Sequence, residues 1–232
     1  MPVLRLSKVR APAVMAGRGR PPGGGPCFQP PLMRIDPSEH LRGPWRVRAL
    51  APDFLLLDVW EYPIRTKDAD GLAGFIEIGR GQEGSLAQGG GLTARLFRFR
   101  RWLGKRLGWD HPVERSIPGC AEKSLRERLP EDERATLAGE SNLGFRPVYS
   151  KRTENLREIS NATVHALIHL AWVDKRDGTF APQLAVYAKP RGLLGRVYLA
   201  LIAPFRHFVV YPALMRHMRA AWEQAERQGR TR

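Results

Sequence analysis

The apolar positions near the C-terminus of the chain follow a helical period. They recur at spacings of three and four, which places them on one face of a helix; the first members are Leu194, Val197, Tyr198, Leu201, Ile202 and Phe205. The apolar pattern continues to Trp222. Pro204 and Pro212 should kink this helix, because proline lacks the amide donor that helical hydrogen bonds need. The sequence therefore predicts one long, kinked, apolar C-terminal helix.

The segment upstream of this helix has the two-residue alternation of β-strands. From Val164 to Trp172, positions of one parity are apolar and those of the other include two histidines, a pattern typical of a strand. Asp177-Gly178 predicts a hairpin turn, since glycine readily adopts the positive φ that such turns need. Strands are predicted over 145–153, 155–161, 164–172 and 180–189, and an earlier one within 47–64.

The segments between the first strand and the later ones predict two shorter helices and a loop. A further helix begins within 68–78, and residues 79–91 are expected to form a loop because they include six glycines. That loop lacks the Lys-Ser/Thr of a phosphate-binding loop. The two shorter helices are predicted over 92–109 and 124–137, and the second starts with Ser124 and Glu127 in the spacing of a capping box.

The two ends of the chain read as tails around one domain. Residues 1–33 are rich in Gly, Pro and Arg and are expected to be a disordered basic tail, so translation could start at either Met1 or Met33. We place the domain over 45–222 and a charged tail over 223–232.

Composition narrows the function classes. The 232 residues are 43% hydrophobic with a formal net charge of +15, but no recognisable nucleic-acid module accompanies the charge, so we do not expect a nucleic-acid partner. The two cysteines argue against a disulfide framework or structural zinc, and we expect a reducing cytoplasm. No apolar run reaches 18 residues and no signal peptide is recognisable, so a spanning helix is not expected.

The predicted helix over 92–109 has a strongly basic outer face. Its cations include Arg95, Arg98, Arg101 and Lys105, which would suit an anionic membrane or a phosphate group. The alternative is an ordinary amphipathic helix with a solvated basic face.

Catalytic and metal-binding signals are weak. His165 and His169 lie about 13 Å apart if both are on one strand, too far to hold one ion. The chain has no Gly-x-Ser-x-Gly motif. Glu158, His165 and His169 are candidates for polar groups at a pocket, and Arg206 would orient an anionic head group if it pointed inward. We predict no catalytic residue, metal or cofactor.

Several phrases of the sequence resemble the bacterial domain-of-unknown-function family 2867. They lie at 107–110, 124–130, 145–149, 158–172, 184–192 and 203–212. The family looks related to the START-like (SRPBCC) helix-grip superfamily, whose members include lipid carriers and polyketide cyclases. The resemblance implies an α+β helix-grip fold, in which an antiparallel sheet wraps around the kinked C-terminal helix, but it supplies no catalytic residue.

These observations predict a binder or carrier of a small hydrophobic molecule held between the sheet and the C-terminal helix. The expected lining is Ile168, Trp172, Val186, Tyr198, Leu201, Ile202, Phe205 and Arg206. Two alternatives stay open: a cyclase-like or hydrolase-like enzyme of the same fold, and a peripheral membrane protein that uses the basic helix. Ligand identity and oligomeric state are left open.

Overall fold

The computed structural model describes residues 33–88, 124–135, 145–161 and 163–229, which build one antiparallel sheet with helices on both of its faces. The strands are β1 (Met33–Arg34), β2 (Leu55–Glu61), β3 (Arg146–Ser150), β4 (Glu154–Ser160), β5 (Val164–Asp174) and β6 (Phe180–Pro190). The α+β class predicted from the sequence is confirmed.

Most of the helices are short; the three long ones are one between the second and third strands and two at the C-terminus. They are α1 (Pro37–Leu41), α2 (Val47–Leu50), α3 (Leu72–Gln88), a 3-10 turn (Leu125–Arg128), α4 (Glu131–Ala135), α5 (Gly192–Phe205), a π turn (Arg206–Val210) and α6 (Tyr211–Arg227).

The strand order is β1-β2-β6-β5-β4-β3, and all neighbours are antiparallel. Strands β3 to β6 form a meander, so each pairs with the next along the chain. Strand β2 instead pairs with β6, which places the first long strand beside the last one. The β5–β6 hairpin turns at Gly178, whose φ is +80°, as the Asp-Gly pair predicted.

The sheet separates two cores. The face that carries His165, Leu167 and His169, called the histidine face below, is covered by α1, α2 and the 3-10 turn through residues such as Val47 and Leu125. The opposite face, which carries Ala166, Ile168 and Leu170 and is called the helix face below, lies under α3, α5 and α6. Its core is built from Trp60, Leu72, Phe75, Trp172, Leu184, Met215 and Trp222.

The C-terminal helix is interrupted once, by the π turn between Pro204 and Pro212. Its first half approaches the sheet closely at Gly195, where an added Cβ would lie only 2.2 Å from the carbonyl oxygen of Thr163. Only glycine allows this approach. The helix ends at Arg227, so the predicted tail from residue 223 is helical over its first half.

Three predictions are corrected by the structure. Residues 79–88 continue α3 instead of forming a loop, because packing against α6, where Gly79 faces Met218, outweighs the low helix propensity of glycine. The predicted helix over 124–137 is divided at Pro130, which cannot continue a hydrogen-bonded helix, into the 3-10 turn and α4. Residues 33–44 belong to the fold through β1 and α1.

Candidate functional site on the two faces of the sheet

Two glutamate–histidine pairs repeat one motif on the histidine face. His169 Nε2 lies 3.0 Å from Glu154 Oε2, and His165 Nε2 lies 2.9 Å from Glu158 Oε2. Glu154 is paired in register with Ala171 and Glu158 with Leu167. Each glutamate therefore reaches a histidine two residues along the neighbouring strand, a diagonal within reach of long side chains.

Each of these glutamates also fixes a helical turn onto the sheet. Glu154 accepts a hydrogen bond from the backbone N–H of Arg46, at the start of α2, and from the Tyr149 hydroxyl at 2.8 Å. Glu158 accepts hydrogen bonds from the Leu125 N–H at 3.0 Å and from the Ser124 hydroxyl, at the start of the 3-10 turn. Buried carboxylates are stable only with several donors, and here helix starts provide them.

A third buried carboxylate extends this polar line toward β2. Glu61 accepts from Lys175 Nζ at 2.9 Å and from Gln183 Nε2 at 3.0 Å, and Gln183 Oε1 lies 3.3 Å from His40 Nδ1. The His40 ring stacks on Trp45 and meets the His169 ring edge-on, with centroids 5.4 Å apart. Polar contacts therefore run across the whole sheet beneath α1 and α2.

The charge states of these groups follow from burial and partners. Burial lowers the pKa of His169, although Glu154 opposes the change. Burial, with the positive charge that His169 could carry, lowers the pKa of His40 to about 4. Burial alone would raise the pKa of Glu154, but hydrogen bonds from His169 and Tyr149 outweigh it and lower the pKa. At neutral pH the Glu154 carboxylate therefore lies beside a neutral His169, which donates from Nε2.

The three predicted polar pocket groups lie on the histidine face and not beneath the C-terminal helix. Glu158, His165 and His169 are buried and point away from α5 and α6. Alternation along β5 thus places these predicted polar pocket groups on the opposite face of the sheet from Ile168, one of the predicted apolar lining residues. In the part of the chain that the structure describes, no three His, Cys, Asp or Glu side chains are placed to hold a metal ion.

The helix face carries a different charged cluster, centred on Asp58. A β-bulge in β2 between Leu56 and Asp58 turns this buried carboxylate toward the C-terminal helix. It accepts from the Tyr211 hydroxyl at 3.0 Å and lies 3.2 Å from Arg206 Nη2 and 2.5 Å from His207 Nε2. Arg206 and His207 therefore point inward, toward Asp58 on the sheet.

The apolar side chains around this cluster are only partly covered. Ile168, Leu170 and Val186 lie on the two central strands, yet each is half-buried, whereas Leu167 and Leu156 on the other face are fully buried. Ile202 and Phe205 of α5 are also half-buried, and Trp172 and Tyr198 are buried. Water therefore still reaches part of these apolar side chains on the helix face.

One predicted lining residue is misplaced. Leu201 lies on the outer surface of α5 and is 68% exposed, because the helix turns Tyr198 and Ile202 toward the sheet instead. The predicted basic surface of Arg95, Arg98, Arg101 and Lys105 lies outside the described residues.

Two buried N–H donors on the helix face have no acceptor among the described residues. They are Trp60 Nε1 and Arg206 Nε. The Trp60 ring lies 5.1 Å from that of Tyr211 and 6.2 Å from that of His207, centroid to centroid. Arg206 is itself paired with Asp58, so both donors lie next to the Asp58 cluster. A buried donor without an acceptor is costly, and an oxygen atom of a ligand would satisfy it.

The comparison with known families agrees with the resemblance seen in the sequence. A family described as "Protein of unknown function (DUF2867)" matches residues 50–213, more than half of the chain. The chain belongs to the DUF2867 family. No curated protein and no solved structure matches the chain.

The sequence did not predict most of the residues in the two buried polar clusters of this DUF2867 protein. One signal was available for the glutamate–histidine pairs: Glu154 and Glu158 have the same spacing of four as His165 and His169 on the next strand. An antiparallel register that joins one pair must also join the other. No comparable signal marked His40 or Asp58, because their partners come from elements remote in the sequence.

Proposed function

We propose that this DUF2867 protein binds a small hydrophobic molecule between the helix face of the sheet and the C-terminal helix. The strand order, with β2 beside β6, and the long helix across the sheet support the helix-grip class as the framework for this site.

The observation that carries the proposal is the partial exposure of Ile168, Leu170 and Val186 at the centre of the sheet. Central strands covered by helices normally bury their apolar side chains completely. Side chains that stay accessible there line a space, and ligand sites are concave, mostly apolar spaces with a few polar groups. On the histidine face of the same sheet, by contrast, the apolar side chains Leu156 and Leu167 are fully buried.

The polar end of the site narrows the ligand class. Asp58 is ion-paired with both Arg206 and Arg34, so each of these arginines already has a carboxylate partner. The N–H groups of Trp60 and Arg206 that lack acceptors call for a carbonyl, hydroxyl or carboxylate oxygen. We therefore propose an apolar molecule with one oxygen-bearing end.

The residues proposed for a cyclase-like or hydrolase-like enzyme lie away from the proposed ligand site. Glu158, His165 and His169 are buried on the other side of the sheet, where they cannot reach a ligand beneath α5 and α6. Binding without chemistry is the function that this geometry supports best.

The proposal is tested by titrating the full chain with cis-parinaric acid, a fluorescent fatty acid. Ile168→Phe should fill the space and lower affinity about tenfold or more. Leu41→Phe on α1, on the other side of the sheet, serves as the matched control and should bind like the wild type. The proposal fails if the wild-type protein does not bind the probe or if Ile168→Phe leaves the affinity unchanged.

The head-group part is tested separately with Trp60→Phe, which keeps a ring but removes the N–H donor. Loss of one hydrogen bond of about 0.5–1.5 kcal/mol corresponds to a weakening of about two- to tenfold. This weakening should affect the fatty acid and not a hydrocarbon probe of the same length. Equal weakening of both probes would show that Trp60 acts only by packing.

A further inference from the structure

The outer surface of α5 is an apolar face that nothing in the described structure covers. Its members point to solvent with large exposed fractions: Leu193 77%, Leu194 58%, Val197 47%, Leu201 68% and, in the π turn, Phe208 81%. At 100° per residue, these positions fall within about a third of the helix circumference. Buried Gly195 and Tyr198 lie toward the opposite side, against the sheet.

We propose that this face of α5, called the outer face below, docks in the plane of an anionic phospholipid membrane. It is an interaction surface distinct from the ligand site, which lies on the inner side of the same helix. Large exposed apolar patches on a protein mark interaction surfaces, and an amphipathic helix with flanking cations is the structure that binds the lipid–water interface.

The positive charge near the outer face favours an anionic membrane as its partner. Residues 178–222 contain no Asp or Glu. Three of their cations are ion-paired with acids elsewhere, Lys189 with Asp53, Arg206 with Asp58 and Arg219 with Glu223. Arg196 and Arg216 are exposed to solvent. Arg196 is exposed at the edge of the outer face, and Lys189 and Arg191 lie at the start of α5. Anionic headgroups attract cations near the surface. In a symmetric dimer the same patch would meet itself, bringing these cations together.

The packing of the helix determines its orientation at the membrane. The helix Gly192–Arg227 is long and apolar enough to cross a bilayer, by length and composition only. Its inner side is fixed to the sheet by the Asp58–Tyr211 hydrogen bond and by the close approach at Gly195. Spanning would break both contacts, whereas lying in the surface keeps them. The proposal is therefore in-plane docking.

The test is flotation of the full chain with phosphatidylcholine vesicles that contain or lack phosphatidylglycerol. The wild-type protein should float with the anionic vesicles, at least about tenfold less with pure phosphatidylcholine, and less as salt is added. The double variant Leu193→Glu, Leu201→Glu should lose at least about tenfold in binding, because it places charge where the apolar contact forms. Leu41→Glu on α1 is the matched control and should bind normally.

Circular dichroism checks that each variant is folded, and a milder Leu193→Ser, Leu201→Ser variant replaces the double variant if it is not. The proposal is overturned if the wild type does not float with anionic vesicles. It is also overturned if the folded double variant floats as well as the wild type, because binding would then lie elsewhere, for example on residues 92–109. A wild-type dimer that the double variant converts to a monomer, without vesicle binding, would assign the face to a second copy.

Discussion

The two faces of one sheet are stabilised in different ways. On the histidine face, three carboxylates and their imidazole, amide and hydroxyl partners form a buried network in which helix starts are joined directly to strands. On the helix face, one carboxylate joins the C-terminal helix to β2, and neighbouring apolar side chains stay half-exposed. The comparison teaches that a strand can be held by a buried polar network on one side while the side chains on its other side stay partly exposed.

The largest effect is expected from removing a carboxylate of the histidine face. Glu154→Ala leaves the Arg46 amide, the Tyr149 hydroxyl and His169 without their shared acceptor. Breaking such a buried pair costs about 3–5 kcal/mol of unfolding free energy, measurable by urea denaturation. Glu223→Ala, which removes an exposed ion pair with Arg219, should change stability by less than about 1 kcal/mol. Similar losses in the two variants would contradict the network's role.

Acidification should weaken the same face. The pKa of His40 is about 4 in the folded protein, against 6.5 for an unperturbed histidine, so the unfolded chain binds the proton first. Stability is therefore complete above pH 6.5 and falls as the pH drops toward 4, by about 3 kcal/mol in total for His40. Urea midpoints at pH 7.5 and pH 5 measure this.

Most glutamates remain ionised at pH 5, since the pKa values of Glu61, Glu154 and Glu158 are lowered. A fall in stability between pH 6.5 and 5 thus belongs to histidines. The His40→Gln variant should show a smaller fall than the wild type. An equal fall in both proteins would mean that His40 is not its source.

A pair of neighbouring substitutions on β5 compares the faces directly. Leu167→Phe enlarges a side chain that is fully buried on the histidine face, and overpacking should cost about 1–3 kcal/mol. Ile168→Phe adds a ring on the half-exposed helix face and should cost less than about 1 kcal/mol. Thermal unfolding of both variants gives the answer, and equal destabilisation would show that the helix face is as tightly packed as the other.

The smallest effect is expected on the outside of α5. Leu201→Ser removes an exposed apolar side chain and should change the unfolding free energy by no more than about 0.5 kcal/mol. A loss of 2 kcal/mol or more in thermal or urea unfolding would mean that Leu201 is covered in the folded protein.

Local patterns predicted much of the sheet. The alternation from Val164 to Trp172 and the turn at Asp177-Gly178 predicted β5, β6 and the hairpin that joins them. The same alternation places Ile168 and His169 on opposite faces, so the histidines could have been excluded from the pocket on that ground alone.

Other features depend on contacts between distant segments, which no local pattern records. The helix over residues 79–88 forms despite its glycines because α6 packs against it. The Asp58 cluster needs a bulge in β2 and a π turn in the C-terminal helix to coincide. The bulge has no signature in its own few residues, and the π turn is marked only by the prolines on either side of it.

The bulge in β2 has a consequence for comparing relatives of this chain. It leaves Leu56 on the histidine face and Asp58 on the helix face, with Leu57 as the extra residue between them. Deleting Leu57 would restore regular alternation and keep both neighbours on their present faces. A homologue one residue shorter here would retain the carboxylate that holds the C-terminal helix, so a single-residue gap inside this strand is a legitimate alignment and not an error.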